Sequence, residues 1–202
     1  MTLEGVAFTS PDDGDARGDR EVRRRVSARL GIAEEWATVE QVHGAVAVAV
    51  DRPGPAGEAD ALVTAVPGLP LAVFTADCLG VVLHGPGTVG VAHAGWRGLA
   101  AGVIESTIDL MRQTGTAPTR AGIGPGIGPC CFEVGDEVAE AFPEDVSVTT
   151  WGTRSVDLRA AAARRLRGLD VWIDDRCTAC GGGFSHRASG TSQRMAALGW
   201  LQ

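Results

Sequence analysis

Between residues 36 and 95 the chain passes through six short apolar segments, WATVEQVHG, AVAVAV, DALVTAV, LPLAVFTADC, LGVVLHG and VGVAHAG, with Gly or Pro between most of them. They are rich in Val and too short for helices, so they read as β-strands. No helical period intervenes before Arg97, which argues against a regular βαβ repeat. The last two segments, joined by Pro86-Gly87-Thr88, read as a hairpin. From Arg97 to Arg112 the period turns helical, through Leu99, Val103, Ile104, Ile108, Leu110 and Met111, and Gly115 is a stop signal. Beyond it the reading alternates: AGIGPGIG as an extended turn-rich segment, EVGDEVAEAF as a short helix, VSVTTWG as a strand, VDLRAAAARRLRGL as a strong helix and VWIDD as a strand. SQRMAALGWL closes the chain as a strand or short helix. Ahead of residue 36 lie a short apolar stretch (GVAFTS), an acidic Gly-rich loop and a helix from Arg20 to Leu30, a segment that looks peripheral. The expectation is one α+β domain over residues 1–202, a mixed or antiparallel sheet core with helices outside.

Composition narrows the chemistry. The 202 residues contain no Lys, Tyr or Asn, so all 18 basic side chains are Arg. Schiff-base lysines, P-loop lysines and tyrosine acids are excluded together. A formal charge of -7 argues against sequence-independent binding to nucleic acid. No apolar run has the length of a membrane span, and no basic region followed by an apolar stretch opens the chain, so the cytoplasm is the expected location. Between Arg154 and Arg194 the balance reverses, with eight Arg against four Asp. That excess suits either solvated helix faces or a small anionic ligand. Five cysteines, two of them adjacent, do not make a secreted disulfide framework. Cys177-Thr-Ala-Cys180 is a CxxC without a second CxxC, a weak signal for zinc or redox chemistry.

Three residues at expected strand ends carry the sharpest signal. His43 precedes Gly44, Cys78 closes LPLAVFTADC, and His93 ends the second arm of the hairpin. Two imidazoles and a thiolate are a good donor set for Zn²⁺, and three protein ligands leave a fourth tetrahedral position for water or substrate. The same residues also suit hydrogen-bonded core histidines and a small buried thiol. A metal-free cysteine hydrolase, with Cys78 as nucleophile and His93 as base, is a further reading. So is a zinc-stabilised interaction domain without catalysis.

QVHG (41–44), ADALVT (59–64), TADC (75–78), HAGWRG (93–98), GIGPGIG with CCFEVG (122–135), DLR (157–159), CT (177–178) and FSHR (184–187) run in one order. Together they resemble the YfiH-like, laccase-domain family. The resemblance implies a layered α/β/β/α fold and a zinc held by His43, Cys78 and His93. It implies phosphorolysis of adenosine, inosine or methylthioadenosine to the base and a pentose 1-phosphate, with adenosine deamination as a second activity. The older family label is polyphenol oxidase. Four histidines cannot ligate a blue copper and a three-copper cluster, so that label does not suit this chain.

This sequence departs from the family pattern where SPDDGDARGD replaces a Gly-Gly-Val-Ser loop, at Phe184-Ser185-His186-Arg187-Ala188, and at Ser192-Gln193-Arg194. For phosphate, Arg97 is the first candidate and Arg187 the second. Asp77, beside Cys78, is the candidate substrate contact and proton shuttle, with a turn role as its alternative.

Overall fold

The computed structural model describes residues 4–202. In chain order its elements are β1 (Val6–Phe8), α1 (Arg20–Leu30), β2 (Ala37–Glu40), β3 (Ala47–Ala49), β4 (Gly54–Glu58), β5 (Ala61–Thr64), β6 (Leu71–Thr75), β7 (Leu79–His84), β8 (Val89–Ala94), α2 (Trp96–Ala100), α3 (Val103–Thr114), β9 (Arg120–Ile123), α4 (Asp136–Ala141), β10 (Val146–Val148), β11 (Arg154–Val156), α5 (Leu158–Arg165), β12 (Asp170–Ile173), α6 (His186–Ser189) and β13 (Met195–Gly199). They form a five-stranded sheet, β1-β13-β6-β2-β4, a six-stranded sheet, β12-β9-β7-β8-β5-β3, and a separate β10-β11 hairpin.

Strands that are apolar at successive positions need cover on both faces. In the six-stranded sheet, Leu62, Val82, Val89 and Val91 meet Leu71, Val73 and Ala197 of the other sheet. The alternate residues, Ala61, Val63, Val81, Leu83 and Ala92, pack outward against Ile104 and Met111 of α3 and Leu158 and Ala161 of α5. In the five-stranded sheet, Ala72, Phe74, Ala196 and Leu198 turn outward onto Val22 and Val26 of α1. The layers therefore run helix, sheet, sheet, helix, in agreement with the α+β reading. Each fully buried Leu or Val contributes roughly 1.5–3 kcal/mol through area removed from water.

Several local readings change. The β7–β8 hairpin is present and antiparallel, with Val81 opposite Ala92. The long helix from residue 97 is broken into α2 and α3 at Gly102, whose φ of 90° lies in the left-handed region. β4, over Gly54–Glu58, is not among the strands expected from sequence, since Gly and Pro dominate it, yet it pairs in parallel with β2. AGIGPGIG begins as strand β9, paired with β7 and β12. The terminal segment is strand β13, held between β1 and β6. The first 35 residues are more than peripheral: Ala16, Val22 and Val26 build the third core cluster, and β1 extends a sheet.

The two sheets approach closely where β7 crosses β13. A Cβ on Gly80 would collide with the Ala197 methyl. Gly80→Val should therefore overpack the seam and cost about 1–3 kcal/mol, seen as a lower urea midpoint with an unchanged slope.

Candidate metal centre

His93 is on β8 and, by the two-residue alternation, faces the inter-sheet seam with Val89 and Val91. It is 3% exposed, so its ring needs partners inside the protein. β5 supplies one. In the β5–β8 register Ala61 lies opposite Ala92, which brings Asp60, the residue before β5, beside His93. His93 Nδ1 lies 2.8 Å from Asp60 Oδ1, and the His93 backbone N–H donates to the Asp60 carbonyl.

Asp60 has no exposed surface, and its carboxylate is satisfied from a second direction. The backbone N–H groups of Val42, His43 and Gly44 donate to it at 3.3, 2.9 and 2.6 Å. Three successive N–H groups converge because His43 takes the left-handed conformation, with φ of 62°. Burial pushes the Asp60 carboxyl up, but His93 and these N–H groups outweigh it and hold the pKa below the ordinary value. An ionised Asp60 only accepts, so His93 Nδ1 keeps a proton, and Nε2 is the nitrogen that can give up its own proton to a metal.

His43 and Cys78 both sit off their strands, contrary to the sequence reading. β2 ends at Glu40 and β6 at Thr75, and each residue is presented by the loop that follows. The ligand atoms of His43, Cys78 and His93 lie within 4.8 Å of one another. The two imidazoles meet edge to face, with ring centroids 4.8 Å apart. Burial raises the Cys78 pKa, yet hydrogen bonds from His43 and His93 outweigh it and bring it to about 6. For His93 burial acts downward, and Asp60 with the Cys78 sulfur raise the value to about 9. Two nitrogens and a thiolate with a carboxylate behind one imidazole form a donor set that suits a divalent metal.

The glycines of HAGWRG follow from this crowding. A Cβ at Gly95 would lie 2.9 Å from Cys78 Sγ and 3.2 Å from His43 Cδ2. One at Gly98 would lie 2.6 Å from the Gly44 carbonyl oxygen.

The cluster forms the floor of a cavity of about 390 Å³ whose lining includes Asp77, Arg97 and Arg187 as well as the three donors. Arg97 lies in α2 with its guanidinium 4.4 Å from the centre of the Trp96 ring and, among the described residues, no carboxylate partner. Arg187 donates from Nη1 to the Glu133 carbonyl and stacks over Phe132. Asp77 lines the cavity with both carboxylate oxygens engaged: Oδ1 accepts from Thr178 and Oδ2 from the Arg187 backbone, each at 2.7 Å. It braces the turn that presents Cys78.

Four polar lining residues were not singled out as site residues from sequence: Arg17, Gln41, His186 and Arg194. Gln41 bonds the Phe74 backbone N–H and carbonyl, extending the contact between β2 and β6 by a side chain. Much of the Arg excess after residue 154 is used elsewhere, because Arg154, Arg164, Arg165 and Arg176 pair with Asp136, Asp145, Glu105 and Asp174. Asp60 was legible only as part of ADALVT; an acidic residue directly before a fully apolar strand was its signal.

Residues 6–202 match the family described as multi-copper polyphenol oxidoreductase laccase. The purine nucleoside phosphorylase of Deinococcus radiodurans is 38% identical over 198 residues, covering 91% of this chain and 78% of that protein. Purine nucleoside phosphorylase YfiH of Escherichia coli K12 is 38% identical over 195 residues, covering 90% and 80%. Among solved structures, YlmD from Geobacillus stearothermophilus superposes with a TM-score of 0.81 at 31% identity, covering all of this chain and 90% of its own. The hypothetical protein YfiH of Bacillus licheniformis gives 0.85 at 26% identity, covering 98% and 92%.

In metal-free protein, the Cys78 thiolate is lost only as the pH falls through about 6. Iodoacetamide modification followed by peptide mapping should give a Cys78 rate that is half-maximal near pH 6 and level between 7 and 9, where an ordinary thiol is still gaining reactivity. Asp60→Asn places an amide against donors and weakens the hold on His93. Metal affinity, measured by competition with a chromophoric chelator, should fall about 10–100-fold while far-ultraviolet circular dichroism is retained.

Proposed function

The chain belongs to the multi-copper polyphenol oxidoreductase laccase family, and from the names of its relatives and the donor set in its cavity we propose that it is a zinc-dependent purine nucleoside phosphorylase with adenosine deamination as a second activity. The observation that carries this reading is a cavity shared by the His43–Cys78–His93 donor set and the carboxylate-free guanidinium of Arg97. The names of the relatives supply the substrate class: purine nucleosides, of which adenosine, inosine and methylthioadenosine are the proposed ones, with phosphate as co-substrate. The proposed location is the cytoplasm; no described helix is long and apolar enough to cross a membrane.

His43, Cys78 and His93 would hold the zinc, which supplies Lewis acidity toward an oxygen of the substrate or a water. Copper of the multicopper kind is disfavoured by the residues: of four imidazoles, two converge here, while His84 lies against the Trp200 carbonyl and His186 stands on the cavity wall. In phosphorolysis a phosphate oxygen forms a bond to the anomeric carbon as the bond to the purine nitrogen breaks, its electron pair leaving with the base. Arg97, with Arg187 as the second candidate, holds and orients the phosphate by charge-assisted hydrogen bonds. Asp77 positions both Cys78 and the Arg187 backbone through its two engaged oxygens. The departing purine requires a proton, and His186 is the imidazole outside the donor set on the cavity lining. Phe74, Ile127 and Phe132 give the cavity apolar wall against which a base excludes water.

One observation favours a second reading. Asp60, His93 and Cys78 are connected in the order of a carboxylate, imidazole and thiol relay, the arrangement of a cysteine hydrolase. Against it stands His43, since a nucleophile needs one base and this sulfur meets two imidazoles. Metal analysis combined with product analysis on adenosine, with and without phosphate, separates the two. Stoichiometric zinc with phosphate-dependent release of adenine supports the phosphorylase; activity in chelated protein that iodoacetamide abolishes supports the hydrolase. Zinc without turnover on any nucleoside would leave an interaction domain.

Arg97→Ala should raise the apparent KM for phosphate about tenfold or more, because a charge-assisted contact of this kind is worth roughly 1.5–3 kcal/mol. Zinc content should be unchanged, and deamination, which uses water in place of phosphate, should suffer less. Steady-state kinetics on both reactions, with metal analysis of the same preparation, is the measurement.

A further inference from the structure

Cys130 and Cys131 follow the loop after β9, and Cys177 and Cys180 follow β12. β9 and β12 are parallel neighbours, so both loops leave the same end of the sheet. They stay together: Gly126 bridges to Cys177, and the Thr178 N–H donates to the Gly126 carbonyl at 3.0 Å. The CxxC that stands alone in sequence thereby meets a second cysteine pair. All four sulfurs lie within 4.8 Å of one another, and the Cys130 and Cys180 sulfurs are 3.7 Å apart. A tetrahedral Zn²⁺ with bonds of about 2.3 Å to sulfur sets its ligands about 3.8 Å apart.

We propose that Cys130, Cys131, Cys177 and Cys180 form a second metal site that takes one Zn²⁺ and clamps the wall of the nucleoside cavity. The loop around Cys177 has the form of a metal-binding turn. The Gly128 N–H donates to Cys177 Sγ at 3.2 Å, and the N–H groups of Ala179 and Cys180 point at the same sulfur. Such donors stabilise a thiolate. The turn closes with the Gly181 N–H on the Cys177 carbonyl at 2.7 Å, and only glycine is tolerated there, because a Cβ would sit 2.5 Å from that oxygen. Gly128 makes the matching cradle on the other loop, where a Cβ would lie 3.1 Å from Cys130 Sγ and 3.3 Å from Cys177 Cβ. The same point is 3.2 Å from Nη1 of Arg159. Arg159 is 8% exposed, and its guanidinium bonds the Gly126 and Arg176 carbonyls through Nη2 and has no partner at Nε. Its positive charge offsets part of the net negative charge of a four-thiolate zinc complex.

The site is structural because four protein ligands complete the tetrahedron. Its reach into the cavity is through sequence neighbours: Phe132, beside Cys131, lines the cavity, and Thr178, beside Cys177, holds Asp77. The inference does not depend on the reaction at the other site.

Protein purified under reducing conditions and loaded with Zn²⁺ should hold two equivalents by elemental analysis and native mass spectrometry. His43→Ala should keep one. Cys177→Ser combined with Cys180→Ser should lose the other while Cys78 remains protected from alkylation by metal. Co²⁺ loaded into His43→Ala should give the strong near-ultraviolet charge-transfer absorption of several thiolates. Should the double variant fail to fold, the wild-type chain decides the matter: N-ethylmaleimide should spare all four cysteines in zinc-loaded protein and label them together after chelation. Loss of all zinc in His43→Ala, labelling of the four at equal rates with and without metal, or a disulfide among them in the reduced, metal-loaded protein would overturn the proposal.

Discussion

A buried carboxylate in the seam between two sheets is tolerated only when every lone pair has a donor, and Asp60 organises the candidate metal centre by meeting that condition. Its partners come from two distant parts of the chain, the β8 imidazole and the 42–44 backbone. Satisfying it fixes the tautomer of His93, draws the loop after β2 toward β8, and forces His43 into a conformation that a side chain with a Cβ rarely takes. The strain at His43 is compensated by the hydrogen bonds its N–H and those of its neighbours make. A centre assembled this way is positioned by interior charge pairing and does not require the metal to gather its ligands.

The layers around it are built for close approach. The strands that meet in the seam carry Ala and Gly among Val and Leu, and aromatic residues make up only 5% of the chain. Small side chains let the sheets and α3 come near enough for Gly90 to lie under Thr107 and Met111, where a Cβ would lie 2.7 Å from the threonine methyl. The cavity opens where this packing ends, at the C-terminal end of β8 and the start of α2. Polar groups there gain a rigid base on one side and access to solvent on the other.

The strands of the central block, the hairpin and the three donor residues were legible because apolar period and residue chemistry are local properties. The elements that escaped were decided by partners far away in sequence. β4 is a strand because β2 lies beside it, although GPAGE has no β propensity. β9 is recruited between β7 and β12 despite its glycine. His43 and Cys78 were placed at strand ends, and the structure moves both into loops because Asp60 and Asp77 hold those loops. The four-cysteine cluster was hidden for the same reason: half of it belongs to each of two loops 50 residues apart, brought together only by the parallel pairing of β9 and β12.

β4 has one more consequence. A protein built on two open sheets leaves strand edges that invite pairing with another chain. At one edge of the five-stranded sheet the exposed backbone belongs to Gly54, Pro55, Ala56, Gly57 and Glu58. Pro55 has no N–H to offer, and Gly54 and Gly57 turn the backbone to φ values of 106° and 87°, so no regular ladder can be added to it. The feature that conceals β4 as a strand makes it a poor template for sheet growth, protecting a Val-rich chain from self-association at that edge.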